Sequence, residues 1–255
     1  MKKIGLVLSG GGVRGFAHLG LLQALDESGI RPYAISGVSA GAIVGALYAA
    51  GHKPEKILAF IKGNSYFGWS NFLLRKDGFF SMRPMLDALK KQIPDDSFEG
   101  LSIKLFVTVT DFTKNKSLTF SNGPLFQAII ASSSVPVIFE PVKFHDSLLV
   151  DGGVLNNFPV EPLEKKCDRI IGSYVNNIEA MTELISNIGK THIIERCFNM
   201  ASSITSYSKK NLCDVFIEPL LDKYSMFDGD KADNIYEIGY ETALKHKEEL
   251  AKLLL

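Results

Sequence analysis

The sequence has few cysteines, only Cys167, Cys197 and Cys213 among 255 residues. Their odd number and lack of metal-ligand spacing exclude a disulfide scaffold, and they read as reduced, largely buried thiols in a cytoplasmic protein. A charge of one sign is missing too: 28 Lys and Arg balance 28 Asp and Glu, for a formal net charge of zero. With no basic excess to neutralise phosphates, nucleic acid is excluded as the main partner. No apolar run approaches the ~18 residues that span a bilayer. The opening Met1-Lys2-Lys3-Ile4 imitates a signal peptide, but three glycines follow too soon for an h-region. Repeats and low-complexity linkers are absent. The composition, 46% hydrophobic and 22% charged, is that of a globular chain folded as one domain, 1–255.

Glycine, in contrast, is abundant, and residues 33–51 use it pointedly. A short extended run, Tyr33-Ala34-Ile35-Ser36, leads into Gly37-Val38-Ser39-Ala40-Gly41, and a small-residue helical run leads out to Gly51. Strand, sharp turn and helix are the context in which G-x-S-x-G holds a nucleophile. Glycine on both sides leaves room for a strained turn, and the serine hydroxyl then sits at a helix N-terminus, where negative charge is favoured. The pattern alone also fits a glycine-rich turn with Ser39 as a helix cap. A nucleophile needs a base and an oxyanion hole besides.

The first strand, at 4–8, ends in Ser9-Gly10-Gly11-Gly12-Val13-Arg14-Gly15 before a helix over 16–28. Gly10, Gly12 and Gly15 satisfy G-x-G-x-x-G, but a dinucleotide site needs an acidic residue at the end of the second strand. Gly37-Val38-Ser39 stands there instead. Parallel pairing of the first two strands would place these glycine amides beside Ser39 as an oxyanion hole. Arg14 either anchors the loop or carries a substrate phosphate.

Together, Gly10-Gly11-Gly12-Val13-Arg14-Gly15 and Gly37-Val38-Ser39-Ala40-Gly41, with His18-Leu19-Gly20 between them, resemble the first two blocks of the patatin-like phospholipases, in their compact bacterial form. Ala131-Ser132-Ser133-Ser134-Val135-Pro136 resembles a third block, with Ser134 and Val137 where alanine and glycine are more usual. Asp151-Gly152-Gly153, followed by Asn156, Asn157 and Pro159, resembles a fourth, and the resemblance runs over roughly 4–177. It implies a three-layer α/β sandwich with a mainly parallel central sheet. It implies an oxyanion hole in the loop of Gly10, Gly11, Gly12 and Val13, with Ser39 as nucleophile. Asp151 would be the general base of a two-residue dyad without histidine or metal. Gly152 and Gly153 would let the Asp151 loop pass tightly against the site.

Other candidates are weaker. Asp111 ends a central strand, where α/β ligands bind, but can equally cap the following turn. A Ser–His–Asp triad would need His192 or His246, both in amphipathic helical segments, while His18 and His145 read as local structural donors. No elbow holds Ser132, Ser133 or Ser134. Asp228-Gly229-Asp230 hints at calcium, but Asp233 stands where an EF-hand needs glycine. Residues 64–82 carry Tyr66, Phe67, Trp69, Phe72, Phe79 and Phe80 around Arg75 and Lys76, which fits either packing or a flap meeting a lipid surface. Residues 178–255 read as a C-terminal helical scaffold.

The expected function is a cofactor-independent serine acyl-ester hydrolase of lipids, with transient membrane contact and homo-oligomerisation left open. A low-turnover regulatory or lipid-sensing module, or an acyltransferase, would keep the same residues.

Overall fold

The structure is a computed structural model that describes residues 2–63, 80–179 and 189–255. The chain opens with β1 (Ile4–Leu8), α1 (Phe16–Glu27), β2 (Ala34–Val38) and α2 (Ala40–Ala49). The helices α3 (Pro54–Gly63) and α4 (Arg83–Gln92) follow. Next come β3 (Lys104–Asp111), β4 (Lys116–Phe120), α5 (Leu125–Ser132) and the hairpin β5 (Val142–Phe144) and β6 (Ser147–Asp151). The remainder is α6 (Glu161–Glu164), β7 (Arg169–Ser173), α7 (Lys190–Tyr207), β8 (Val215–Ile217), α8 (Ala232–Lys245) and α9 (Lys247–Lys252).

Pairing runs β5–β6–β3–β2–β1–β7–β8, with β4 also on β3. The block β3–β2–β1–β7–β8 is parallel, and β4, β5 and β6 join antiparallel. Successive side chains of a strand point to opposite faces, and here both faces are dry. Leu6, Leu8, Ile35, Leu105, Val107 and Ile171 face a core shared with α1 and α2. Their neighbours Val7, Ala34, Phe106 and Ile170 face a second core with Leu163 of α6, Phe158 and Tyr174. Continuous apolar runs in the sequence are what a sheet covered on both sides requires.

β3 positions the site. Its residues Lys104 to Thr108 pair with β2, and Val109 to Asp111 pair with β6. β4 covers Val107 to Asp111, so it must lie on the opposite edge. β2 and β6 therefore follow each other along one edge of β3, running in opposite directions. Their carboxyl ends meet where Thr108 gives way to Val109. This meeting brings Ser39, just past β2, to Asp151, the last residue of β6.

One expectation changes. Cys197 on α7 is exposed, while Cys167 and Cys213 are partly buried, and all three are free. Beside its helices, the C-terminal region adds β8 to the sheet. Among the described residues, no helix is long and apolar enough to cross a membrane.

Candidate active site

Ser39 has a left-handed backbone, φ 53° and ψ −124°. Outside glycine that region is sparsely populated, at a cost of ~1–3 kcal/mol unless the surroundings enforce it. Here they do. A Cβ on Gly37 would stand 2.6 Å from the Gly41 carbonyl oxygen, and one on Gly41 2.3 Å from that of Leu8. The turn closes only with glycine at both places. α2 begins at once, with Ala42 and Ile43 donating to the Ser39 carbonyl at 2.9 and 3.1 Å. The Ser39 N–H donates to Ser132 Oγ at 2.8 Å, and that hydroxyl donates to Thr108 O at 2.6 Å. Ser132 thus ties the turn to β3.

Asp151 is 1% exposed. Its N–H donates to Ser134 O at 2.9 Å, and its Oδ1 accepts the Gly153 N–H at 2.7 Å. Burial pushes its pKa up to about 7, against the opposing pull of hydrogen bonds from the Ser39 side chain and the Gly153 amide. A carboxyl group buried without a cation holds its proton more tightly, because the charged form has lost its water. Near 7 it is a far better proton acceptor than an ordinary aspartate.

The glycine loop leaves β1 and turns beneath Ser39. Gly12 is left-handed, φ 57°. The amides of Gly11 and Gly12 find no acceptor among the described residues, whereas the Val13 N–H donates to Met226 O at 2.9 Å. Arg14 faces away from Ser39. It is 5% exposed, its Nη2 lies 2.9 Å from Glu195 Oε1, and its Nε donates to Tyr224 O at 2.7 Å. Glu195 also accepts the Met226 N–H at 2.8 Å and the Ser225 hydroxyl at 2.6 Å. Arg14 is a loop anchor in this arrangement.

Ser39, Asp151, Gly11 and Gly12 share a cavity of about 280 Å³, walled mainly by apolar side chains such as Ile43, Met82, Met85, Phe139, Phe198 and Met226. Asn157 also faces it. Such a chamber suits an aliphatic chain leading to one polar reacting group. Of the 64–82 segment, residues 64–79 lie outside the described residues. At its near end the Phe80 N–H donates to Ile138 O at 2.8 Å, and Met82 is buried.

Ser133 also lines the cavity, whereas Asp111 and the histidines do not. Asp111 accepts the Lys114 N–H at 2.9 Å and the Ser147 hydroxyl at 3.0 Å, as a turn cap would. His18 is sealed between Ser173 Oγ at 2.8 Å and Ser9 O at 2.9 Å, and burial lowers its pKa to about 4. His246 pairs with Glu249 at 3.3 Å. Neither His192 nor His246 lines the Ser39 cavity.

The sequence model of the patatin-like phospholipases matches residues 6–164. The chain belongs to this family. An uncharacterized NTE family protein of Mycobacterium tuberculosis is 32% identical over 191 residues, which are 70% of this chain and 50% of that protein. Lysophospholipase NTE1 of Candida glabrata is 27% identical over 268 residues, 93% of this chain and 16% of that protein. This chain thus spans half the length, or less, of these curated relatives. Among solved structures, VipD from Legionella pneumophila superposes with a TM-score of 0.60 at 16% identity, covering 97% of this chain and 67% of that one. The likeness is one of fold, a patatin-like sheet flanked by helices.

The family blocks in the sequence give roles to Ser39, Asp151 and the glycines; Ser132 lies in the third block without a role of its own, and Glu195 and Met226 lie outside the blocks. Ser132 is hidden in a run of three serines that all look alike. Glu195 leaves no trace, because the apolar Ile193 and Ile194 beside it are exposed while the acid itself is buried. Met226 acts through its backbone carbonyl, so its side chain carries no signal.

Proposed function

We propose that this chain is a serine hydrolase of lipid esters. The Ser39 hydroxyl attacks the ester carbonyl while Asp151 takes its proton. The oxyanion is received by the amides of Gly11 and Gly12. Collapse of the tetrahedral intermediate breaks the ester C–O bond, Asp151 returns the proton to the leaving alcohol, and the acyl group stays on Ser39. Water then attacks the acyl-enzyme with Asp151 again as base, releasing the fatty acid and restoring Ser39.

The observation that carries this reading is that Ser39 and the buried Asp151 stand together in the wall of one apolar cavity. Val13 takes no part while its N–H is held by Met226 O. Residues 1–255 act as one unit in this reading, because Phe198 and Met226 complete the cavity wall. The cavity is near the lower end of the ~300–1,000 Å³ usual for ligand sites, which favours an ester with one acyl chain. The name of the Candida relative, a lysophospholipase, points the same way.

The test is release of fatty acid from lysophospholipids, diacyl phospholipids and short esters, with and without an added acceptor alcohol. Free fatty acid released fastest from lysophospholipids supports the proposal. Acyl transfer to the alcohol in preference to water, or no turnover of any ester, would overturn it.

A further inference from the structure

Asn157 is a polar side chain of the site that the proposed chemistry leaves unused. It is 2% exposed and lines the cavity with Ser39 and Asp151. Its Oδ1 lies 2.4 Å from where a Gly10 Cβ would be, and 2.7 Å from where a Gly153 Cβ would be. The carboxamide therefore fills the gap between the glycine loop and the turn that carries Asp151, and only glycine on both sides admits it. The same Gly10 position lies 3.1 Å from Ser39 Cβ, so the nucleophile adjoins this contact.

Asn157 Nδ2 is buried and has no hydrogen-bond partner among the described residues. Leaving a buried amide donor unpaired is costly, and such groups are rare in folded proteins unless an acceptor arrives from outside. The oxyanion loop meanwhile is short of a donor, because the Val13 N–H is committed to Met226 O at 2.9 Å. Asn157 thus lines the cavity that Ser39, Asp151 and the glycine loop share, beside a loop that is one donor short.

We propose that Asn157 Nδ2 donates a hydrogen bond to the carbonyl oxygen of the scissile ester, completing an oxyanion hole with the Gly11 and Gly12 amides. This makes Asn157 a catalytic residue, and it rests on the assignment of Ser39 as nucleophile. No covalent step is added. The donor is neutral, and that matters for its neighbour. A lysine or arginine here would hold Asp151 ionised at lower pH and weaken it as a base. An amide stabilises the oxyanion and leaves untouched the burial that lifts Asp151 to about 7.

The test compares wild type with Asn157→Ala and Asn157→Asp, the latter keeping the shape if the smaller side chain fails to fold. Turnover is measured on a p-nitrophenyl ester and on a glycerol ester of the same acyl chain, alongside thermal unfolding and fluorophosphonate labelling of Ser39. The expected result is a ~10²–10³-fold loss of kcat on both esters, with KM nearly constant and Ser39 still labelled. A loss confined to the glycerol ester would mean that the donor serves the leaving oxygen, and the proposal would be wrong. Unchanged kcat in a folded variant, or a change in KM alone, would also overturn it. Absence of label on Ser39 in the wild type would instead remove the nucleophile assignment beneath it.

Discussion

Gly152 lies so close to Thr108 that a Cβ on it would stand 2.3 Å from the Thr108 carbonyl oxygen, and 2.8 Å from Val38 Cγ2. This contact locks the end of β6 against both β3 and β2, and Asp151 is the residue just before it. Gly152→Ala should therefore cost ~1–3 kcal/mol of stability and remove most esterase activity. Gly100→Ala is the control, since its new Cβ would come no nearer than 3.4 Å to Asp95 Cβ, an ordinary contact. Urea denaturation with an ester assay checks both; equal behaviour of the two variants would contradict the lock.

The raised pKa of Asp151 gives two pH dependences. As a base it must be ionised, so kcat/KM should rise along a single titration near 7, the value to which burial lifts it, and level off above. Stability should run the other way. The unfolded chain gives up this proton near the ordinary aspartate value of 3.8, and the folded chain at about 7. Between those pH values the native state binds more protons, so this group destabilises progressively as pH rises. Asp151→Asn removes that penalty and should unfold at a higher temperature than wild type at pH 8, with the gap closing toward pH 4. A gap that stays constant with pH would mean that the carboxyl group is not desolvated as described.

Arg14 and Glu195 form a buried pair at 2.9 Å with side-chain exposures of 7% and 4%. Removing one member leaves the other charge uncompensated in the interior, at ~3–5 kcal/mol. Glu195→Ala should lower stability by that order and also reduce kcat, because the carboxylate holds both Arg14 and Met226 around the glycine loop. The exposed pair Lys114–Asp146, also at 2.9 Å, serves as the comparison, and Lys114→Ala should leave the denaturation midpoint nearly unchanged. If the two variants unfold alike, the pair is not an anchor.

The site was legible where chemistry needs particular residue types in consecutive order. Gly37, Ser39 and Gly41 carry their own steric logic, and the apolar runs of β1, β2, β3 and β7 read directly as buried strands. Less legible was anything set by tertiary pairing. That β6 docks end to end with β2 on one edge of β3 has no local signal, nor does the role of Ser132 in holding the Ser39 amide. One departure from the family pattern proved informative. Val137, where glycine is more usual, adopts φ 73° and is 68% exposed. A β-branched residue in that region is strained by ~1–2 kcal/mol. Val137→Gly should raise stability, by less than the full strain because glycine gains freedom in the unfolded chain. A lower unfolding midpoint in that variant would contradict the strain.

The most direct test of the account is the site of covalent capture by a fluorophosphonate, read by peptide mass spectrometry in wild type, Ser39→Ala and Asp151→Asn. Ser39 should carry the label in wild type, no residue should carry it in Ser39→Ala, and labelling should slow at least ~10²-fold in Asp151→Asn. Label on Ser132, Ser133 or Ser134, or ester turnover that survives Ser39→Ala, would contradict it.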